Sequence, residues 1–308
     1  MNNQYTPLVS VTVITYNSAK YVLETLESIR AQTYKNIELI ISDDSSTDST
    51  VDICRTWLNE NKERFVESHL ITSLVNTGIP ANKNRAISKC KGEWLKSIAG
   101  DDKLLNTCIS LNVNATKKSN LLFFFSKFYV LSDDASIKNK IENLYARYYP
   151  LFQGNQFDNL MNYGYFFPTV TFFANIKELR KIGLYNENYP YQEDFPMWFK
   201  ILKRGYSFYF IDSYTVFYRI HGNSTYNNKF IVNKNWHKSN KLFYYKELLP
   251  ERLSRKQYLK VWDSIIYFLY LDITIFMGNK KGKVDQCCKI ILLLSPLYFK
   301  NTLKRLFS

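Results

Sequence analysis

The chain has 308 residues, of which 46% are hydrophobic and 22% charged. That is ordinary globular usage; it excludes a mainly disordered chain and suits one large α/β domain with an appendage. The 41 Lys and Arg outnumber the 27 Asp and Glu by 14, which favours an anionic partner such as nucleic acid, a phosphate-bearing metabolite or an acidic membrane surface.

The first hundred residues read as strands alternating with short helices. Residues 9–15 (VSVTVIT) are β-branched and fit a buried strand. Asn17 and Ser18 can cap a helix whose Val22, Leu26 and Ile29 fall on one face. Residues 37–42 (IELIIS) predict the second strand, 45–50 a polar turn, and Val51, Cys54 and Leu58 the next helix, with Asp48 as its cap. A third strand is expected at 70–74. Pro80 suits the first turn of a helix carrying Ala86, Ile87 and Cys90, and 94–98 give a fourth strand. This order predicts a mostly parallel sheet with right-handed crossovers.

Beyond it, 121–131 (LLFFFSKFYVL) is a long aromatic strand, 132–153 is polar and irregular, and 169–174 reads as another strand. Helices are expected over 176–182, ending at Gly183, and over 195–204, ending at Gly205. Trp198 and Phe199 fit the core of the second. Residues 207–220 alternate and predict an extended segment. From Phe230 on, Lys and Arg interleave with Tyr, Phe, Leu and Ile at helical spacing.

The five cysteines (Cys54, Cys90, Cys108, Cys287, Cys288) form no CxxC pair and sit in apolar patterns, so buried reduced thiols and a reducing compartment are expected. The first seven residues carry no signal-like segment, so secretion is not expected. The most apolar stretches, 265–278 and 290–299, are interrupted by Asp272 and by Pro296, and neither reaches the length of a membrane span.

In an open parallel sheet ligands bind beyond the carboxyl ends of the strands. There the chain places Thr15-Tyr16-Asn17, then Asp43-Asp44, then Gly100-Asp101-Asp102. Adjacent carboxylates repel, and a divalent cation is the usual compensation; carboxylates with a phosphate substrate suit Mg²⁺ or Mn²⁺. No GxxxxGK[ST] loop, GxGxxG turn or GxSxG elbow occurs, and His69, His221 and His237 lack zinc spacing.

The segments VSVTVITYN (9–17), IELIISDDSSTDST (37–50), NTGIPANKNRAI (76–87), GEWLKSIAGDD (92–102), QEDFPMWFKILKRG (192–205) and YRIHGNST (218–225) resemble, in this order, the family 2 glycosyltransferases with the GT-A fold. The resemblance implies a GT-A catalytic domain over 1–225, with 226–308 left as a basic, amphipathic helical extension. It implies a site for a nucleotide-diphospho-sugar, a UDP-sugar above all. Thr15, Tyr16 and Asn17 match the segment along the base and ribose. Asp43 and Asp44 match the acids that read base edge and ribose, and Arg85 a basic position near base and diphosphate. Asp101 matches a position near the ribose, and Asp102 the metal ligand, with Mn²⁺ or Mg²⁺ as the ion. Many members have Asp-x-Asp-Asp where this chain has Ala99-Gly100-Asp101-Asp102. Glu193-Asp194 matches the pair whose Asp is the catalytic base, and His221 a position near diphosphate or metal.

The expected reaction inverts the anomeric centre, because no second nucleophile for a retaining route stands out. The expected acceptor is a glycan or a lipid-linked saccharide in bacterial surface-polysaccharide synthesis. The expected location is cytoplasmic, peripheral on the inner face of the plasma membrane, because lysines surround the apolar segments 265–277 and 290–299. The Lys/aromatic run 229–260 would by itself fit a module for anionic polymers. That reading leaves the strand-end acids unexplained, so no nucleic-acid partner is expected. Ala99 alone supports a non-catalytic holder of the nucleotide sugar.

Overall fold

Strand β1 is Val9–Thr15 and β2 is Ile37–Asp43; both are buried almost throughout, because helices cover both faces of the sheet they centre. A computed structural model describes residues 5–164, 167–220, 231–280 and 288–299. Helix α1 (Val22–Arg30) buries Val22, Leu26 and Ile29, and α2 (Thr50–Asn61) buries Cys54, Trp57 and Leu58. Strand β3 (Glu67–Thr72), helix α3 (Ile79–Lys89) and strand β4 (Trp94–Ala99) complete the alternation. These four strands run parallel in the order β3-β2-β1-β4. Thr15 lies opposite Asp43, so the carboxyl ends of β1 and β2 are level.

Next come β5 (Lys103–Leu104), α4 (Cys108–Lys118), β6 (Phe123–Leu131), α5 (Ala135–Tyr148), α6 (Gln156–Tyr163), β7 (Phe173–Asn175), α7 (Ile176–Ile182), α8 (Asp194–Lys203) and β8 (Phe208–Arg219). They extend the sheet to eight strands, order β3-β2-β1-β4-β7-β6-β8-β5, with β7 and β5 antiparallel to their neighbours. The result is the expected α/β architecture with a mostly parallel sheet. An aromatic cluster fills the second half: the Trp198 ring lies 4.5 Å from Phe172 and 5.0 Å from Phe125. Trp198 and Phe199 are buried, as their helical spacing implied.

The chain divides into two compact units, residues 1–187 with 193–221, and residues 188–192 with 222–308. The second unit is helical: α9 (Lys234–Phe243), a π-helical stretch Tyr244–Leu248, α10 (Leu249–Ser254) and α11 (Tyr258–Phe276). It has its own small core around Val232, Tyr270, Leu271 and Cys288.

Several expectations are corrected. Residues 132–153 hold a helix, α5, capped by the Asp134 carboxylate on the N–H groups of Ser136 and Ile137. None of its residues is fully buried; Ile141 and Tyr145 alone pack partly on the core, so its apolar stripe is thin against a polar background. Strand β3 begins and ends earlier than 70–74. Residues Thr169–Thr171 form a 3₁₀ turn, leaving a strand of three residues. Helix α4 has no counterpart in the sequence reading. Neither Asn17 nor Ser18 caps α1 through its side chain; the Ser18 carbonyl accepts from Tyr21 and Val22 N–H, while Asn17 takes a positive φ and turns towards the β2 loop.

Candidate active site

The carboxyl ends of β1 and β2 are tied by the Asp43 side chain. It accepts from the Thr15 hydroxyl (2.7 Å), the Ser46 N–H (2.8 Å) and the Ser46 hydroxyl (2.5 Å). Asn17, one turn on from Thr15, joins the same loop: its N–H donates to the Ser46 hydroxyl and its Oδ1 accepts from the Thr47 N–H, both at 2.8 Å. The Tyr16 ring beside it is exposed. These bonds hold 15–17 and 43–47 as one polar ledge.

Asp44 faces the next element. Its carboxylate accepts from the N–H groups of Thr77 (3.0 Å) and Gly78 (2.7 Å), the Thr77 hydroxyl (2.6 Å) and Arg85 (3.2 Å). Four donors match the acceptor capacity of a carboxylate. Two of them are backbone N–H groups at the start of α3, where a negative charge is favoured. Gly78 takes φ +87°, a conformation that suits glycine. Arg85 also donates to the Thr77 hydroxyl and to Asn82 Oδ1. Asp44 and Arg85 thus lock the start of α3 onto β2.

From the same turn of α3, Lys83 points the other way. Its buried ammonium donates to Asp194 Oδ1 (3.0 Å) and Glu193 Oε1 (3.2 Å) and stands over the Tyr185 ring at 4.7 Å. Burial pulls the lysine down, yet the charges of Asp194 and Glu193 outweigh it and hold Lys83 above its ordinary value. Burial, then the charge of Asp194, push the Glu193 carboxyl up, against the pull of Lys83. Asn82, next to Lys83, donates to the Thr15 carbonyl (3.3 Å). Three neighbouring residues of one helix, Asn82, Lys83 and Arg85, therefore join β1, the Glu193–Asp194 pair and Asp44.

Asp101 and Asp102 follow β4. Gly100 lets this turn approach β1: a Cβ there would lie 2.8 Å from Thr15 Cγ2. Asp102 is buried, and its Oδ1 accepts from the Arg219 N–H at 2.8 Å. Its carboxyl is pushed well above the usual range, first by burial and then by the charge of Asp101. The Arg219 side chain donates to the Asp101 carbonyl and to Glu24, both at 2.8 Å, so the end of β8 clamps the acidic turn to α1. His221 lies outside the described residues. Among the described residues no three His, Cys, Asp or Glu side chains converge as a metal cluster.

Sequence reasoning passed over Lys83 and Arg219, although both stand in the quoted motifs. A signal for Lys83 exists: it shares a helical face with Ala86, Ile87 and Cys90, so it is a lysine at a core-facing position. Asp48 does contribute at α2, where its Oδ1 accepts from the Thr50 N–H at 3.0 Å. Four cysteines (Cys54, Cys90, Cys108, Cys288) are buried and unpaired; burial raises the first two to about 12, which makes them poor nucleophiles. Cys287 lies outside the described residues.

The chain is 29% identical over 225 residues to an Escherichia coli protein named UDP-Glc:alpha-D-GlcNAc-diphosphoundecaprenol beta-1,3-glucosyltransferase WfaP, spanning 72% of this chain and 81% of that one. The structure of S. aureus TarS 1-349 in complex with UDP-GlcNAc superposes with a TM-score of 0.56 at 13% identity, covering 92% of this chain and 70% of the other. A mannosyltransferase from Pyrobaculum calidifontis in complex with GDP-Man and Mn²⁺ gives 0.54 at 14% identity, with 96% and 73% covered. At such identities the structures establish the shared GT-A fold and nothing finer. The model of glycosyl transferase family 2 matches residues 10–182, more than half of the chain, and takes in the strand-end acids, α3 and the acidic turn after β4. On that match, with the GT-A sheet beneath it, the chain belongs to glycosyl transferase family 2 and is a glycosyltransferase.

Proposed function

We propose that the protein moves a sugar from a UDP-sugar to a hydroxyl of a lipid-linked saccharide or growing glycan, with inversion, in the synthesis of a bacterial surface polysaccharide. The observation that carries this reading is the link made by α3, which ties the strand-end acids to the Glu193–Asp194 pair through adjacent residues. Support for the donor and acceptor classes comes from the E. coli relative, whose name specifies UDP-Glc and a diphosphoundecaprenol-linked acceptor.

In this reading Thr15, Tyr16 and Asn17 line the base and ribose. Asp43, which accepts three hydrogen bonds, keeps acceptor capacity for the nucleotide, whereas Asp44 is filled and acts by placing Arg85. Asp101 lies towards the ribose, and His221 near the diphosphate. Asp102 fits a divalent cation, Mn²⁺ or Mg²⁺: it is a hard oxygen donor whose carboxyl is raised first by burial and then by the charge of Asp101, and a cation would offset both. Such an ion, when bound, neutralises the charge that develops on the departing diphosphate.

Asp194 takes the proton of the incoming hydroxyl. The acceptor oxygen bonds to the anomeric carbon as the bond to the diphosphate oxygen breaks on the opposite side, and UDP leaves. Lys83 keeps the Asp194 carboxylate in place at the start of α8. The enzyme works at the cytoplasmic face of the plasma membrane, attached peripherally; among the described residues no helix is long and apolar enough to cross a bilayer.

Calorimetric titration with UDP tests the donor site. Wild type should bind UDP more tightly with Mn²⁺ than without, and Asp102→Asn should lose that difference. Equal affinity with and without metal in both proteins would overturn the metal assignment, and no UDP binding at all would overturn the donor.

A further inference from the structure

Helix α11 presents apolar side chains on both faces. One face is buried in its own unit: Ile266, Phe268, Tyr270 and Leu271 are covered, and the Phe268 ring stands 5.0 Å from that of Tyr244. The other face carries Tyr258, Trp262, Ile265, Leu269 and Phe276, spaced i, i+4, i+7, i+11 and i+18, which makes a single stripe. These five are 41–86% exposed. Segment 288–299 widens the stripe. The Trp262 indole N–H donates to the Leu294 carbonyl (2.9 Å) and the Ser295 hydroxyl to Asp263 Oδ1 (2.5 Å), while Ile290, Leu294 and Leu297 stay exposed. A contiguous apolar surface of this kind marks a partner.

We propose that this surface seats the protein in the headgroup layer of an anionic lipid bilayer, with α11 lying in the membrane plane. The inference deepens the proposed function by naming the surface that would bring the enzyme to a lipid-linked acceptor. Three observations select lipid as the occupant. Trp262 and Tyr258 are ring systems with a polar edge, the type favoured at a membrane interface. The exposed charges flanking the stripe are lysines, Lys256 at one end and Lys280 and Lys289 at the other. The acids of α11 are engaged within the unit, Asp263 by Ser295 and Asp272 by His237 and Lys241. The surface is thus apolar with a cationic rim, complementary to anionic headgroups. Pairing with a second copy would set lysine rims against each other in a chain of net charge +14. The buried face of α11 fixes the orientation, because threading the helix through a bilayer would strip Phe268 and Leu271 of their packing.

Flotation of the full chain with vesicles at low salt tests this, using phosphatidylglycerol-rich and pure phosphatidylcholine vesicles. Wild type is expected to float with the first and at least about tenfold less with the second. Tyr258→Glu/Ile265→Glu/Leu269→Glu should lose about tenfold or more of the binding, with circular dichroism and UDP affinity unchanged. Lys256→Glu/Lys280→Glu leaves the apolar stripe intact; it should weaken binding to the anionic vesicles and remove their advantage over neutral ones. The proposal is overturned if wild type ignores both vesicles, if both variants float like wild type, or if wild type is a dimer in solution that the glutamates split while vesicles stay unbound. A protein that floats as expected but binds no UDP would sink the proposed donor and leave this surface standing.

Discussion

Lys83 is a buried cation shared between two carboxylates, and removing it leaves like charges side by side. A buried charge stripped of its partner costs about 3–5 kcal/mol, so Lys83→Met should lose about that much stability near neutral pH. Because Lys83 is held above the ordinary lysine value, its own contribution is complete throughout the neutral range and fades only as pH rises through that raised value. The deficit of Lys83→Met should shrink in acid, since Glu193, already pushed up by burial and Asp194, takes a proton and ends the repulsion. Urea melts of both proteins between pH 4 and pH 8 measure this; a deficit that does not change with pH would mean lost packing against Tyr185 rather than lost charge. Asp194→Asn leaves Glu193 to hold the lysine. Its transfer rate should drop by about 10²–10⁴-fold, the range for one positioned base, while UDP affinity stays within a few-fold. Single-turnover assays with a defined acceptor, paired with UDP calorimetry, separate the two effects.

At the scale of elements, β4 carries an unusual load. Lys96 lies in its middle with no exposed surface, and its ammonium donates to the carbonyls of Val170 (2.6 Å) and Ser97 (3.3 Å). Burial pulls it down to about 8, although the charges of Cys108 and Asp102 act the other way. Its value in the unfolded chain is the ordinary 10.5, so between about 8 and 10.5 the unfolded state binds more protons than the folded one. Stability from this residue therefore rises with pH across that window, by an amount on the order of 3 kcal/mol. Buried Cys54 and Cys90, raised from 9.0 to about 12, act in the opposite direction between those values, which overlaps only the upper part of this window. The readout is the difference between wild type and Lys96→Met, which should grow in favour of wild type from pH 8 to pH 10.5. A difference that is flat in pH would mean that Lys96 reaches water in the folded protein.

Among the described residues each unit has apolar packing of its own, a large cluster along the sheet in the first and a small one around Val232 and Tyr270 in the second. The candidate donor residues belong to the first unit alone. Scanning calorimetry should therefore show a calorimetric enthalpy above the van't Hoff value, the sign of more than one cooperative unit. UDP with Mn²⁺ should move the transition of the first unit by about 2.7 kcal/mol at a hundredfold excess over its dissociation constant, leaving the second in place. One transition that shifts as a whole would show that the units melt together.

Strands β1, β2 and β4 were legible in the sequence because each is buried almost throughout, and β-branched or large apolar residues dominate them despite Glu38 in β2 and Lys96 in β4. The strand-end acids were legible for a related reason: a polar run after a buried strand marks the ligand edge of such a sheet. Helix α5 was not, since it buries no residue fully and its faint stripe is lost among polar neighbours. Which acid does what was also beyond the sequence. Asp43 and Asp44 are adjacent and alike in the chain, yet one faces β1 and the other the start of α3. Lys83 is legible as a lysine on the core-facing side of α3, but its counter-ions are not: Glu193 and Asp194, 110 and 111 residues away, meet it only in the folded chain. Local pattern determined the sheet and its polar edge; charge pairing depends on distance in space, which only the folded chain sets.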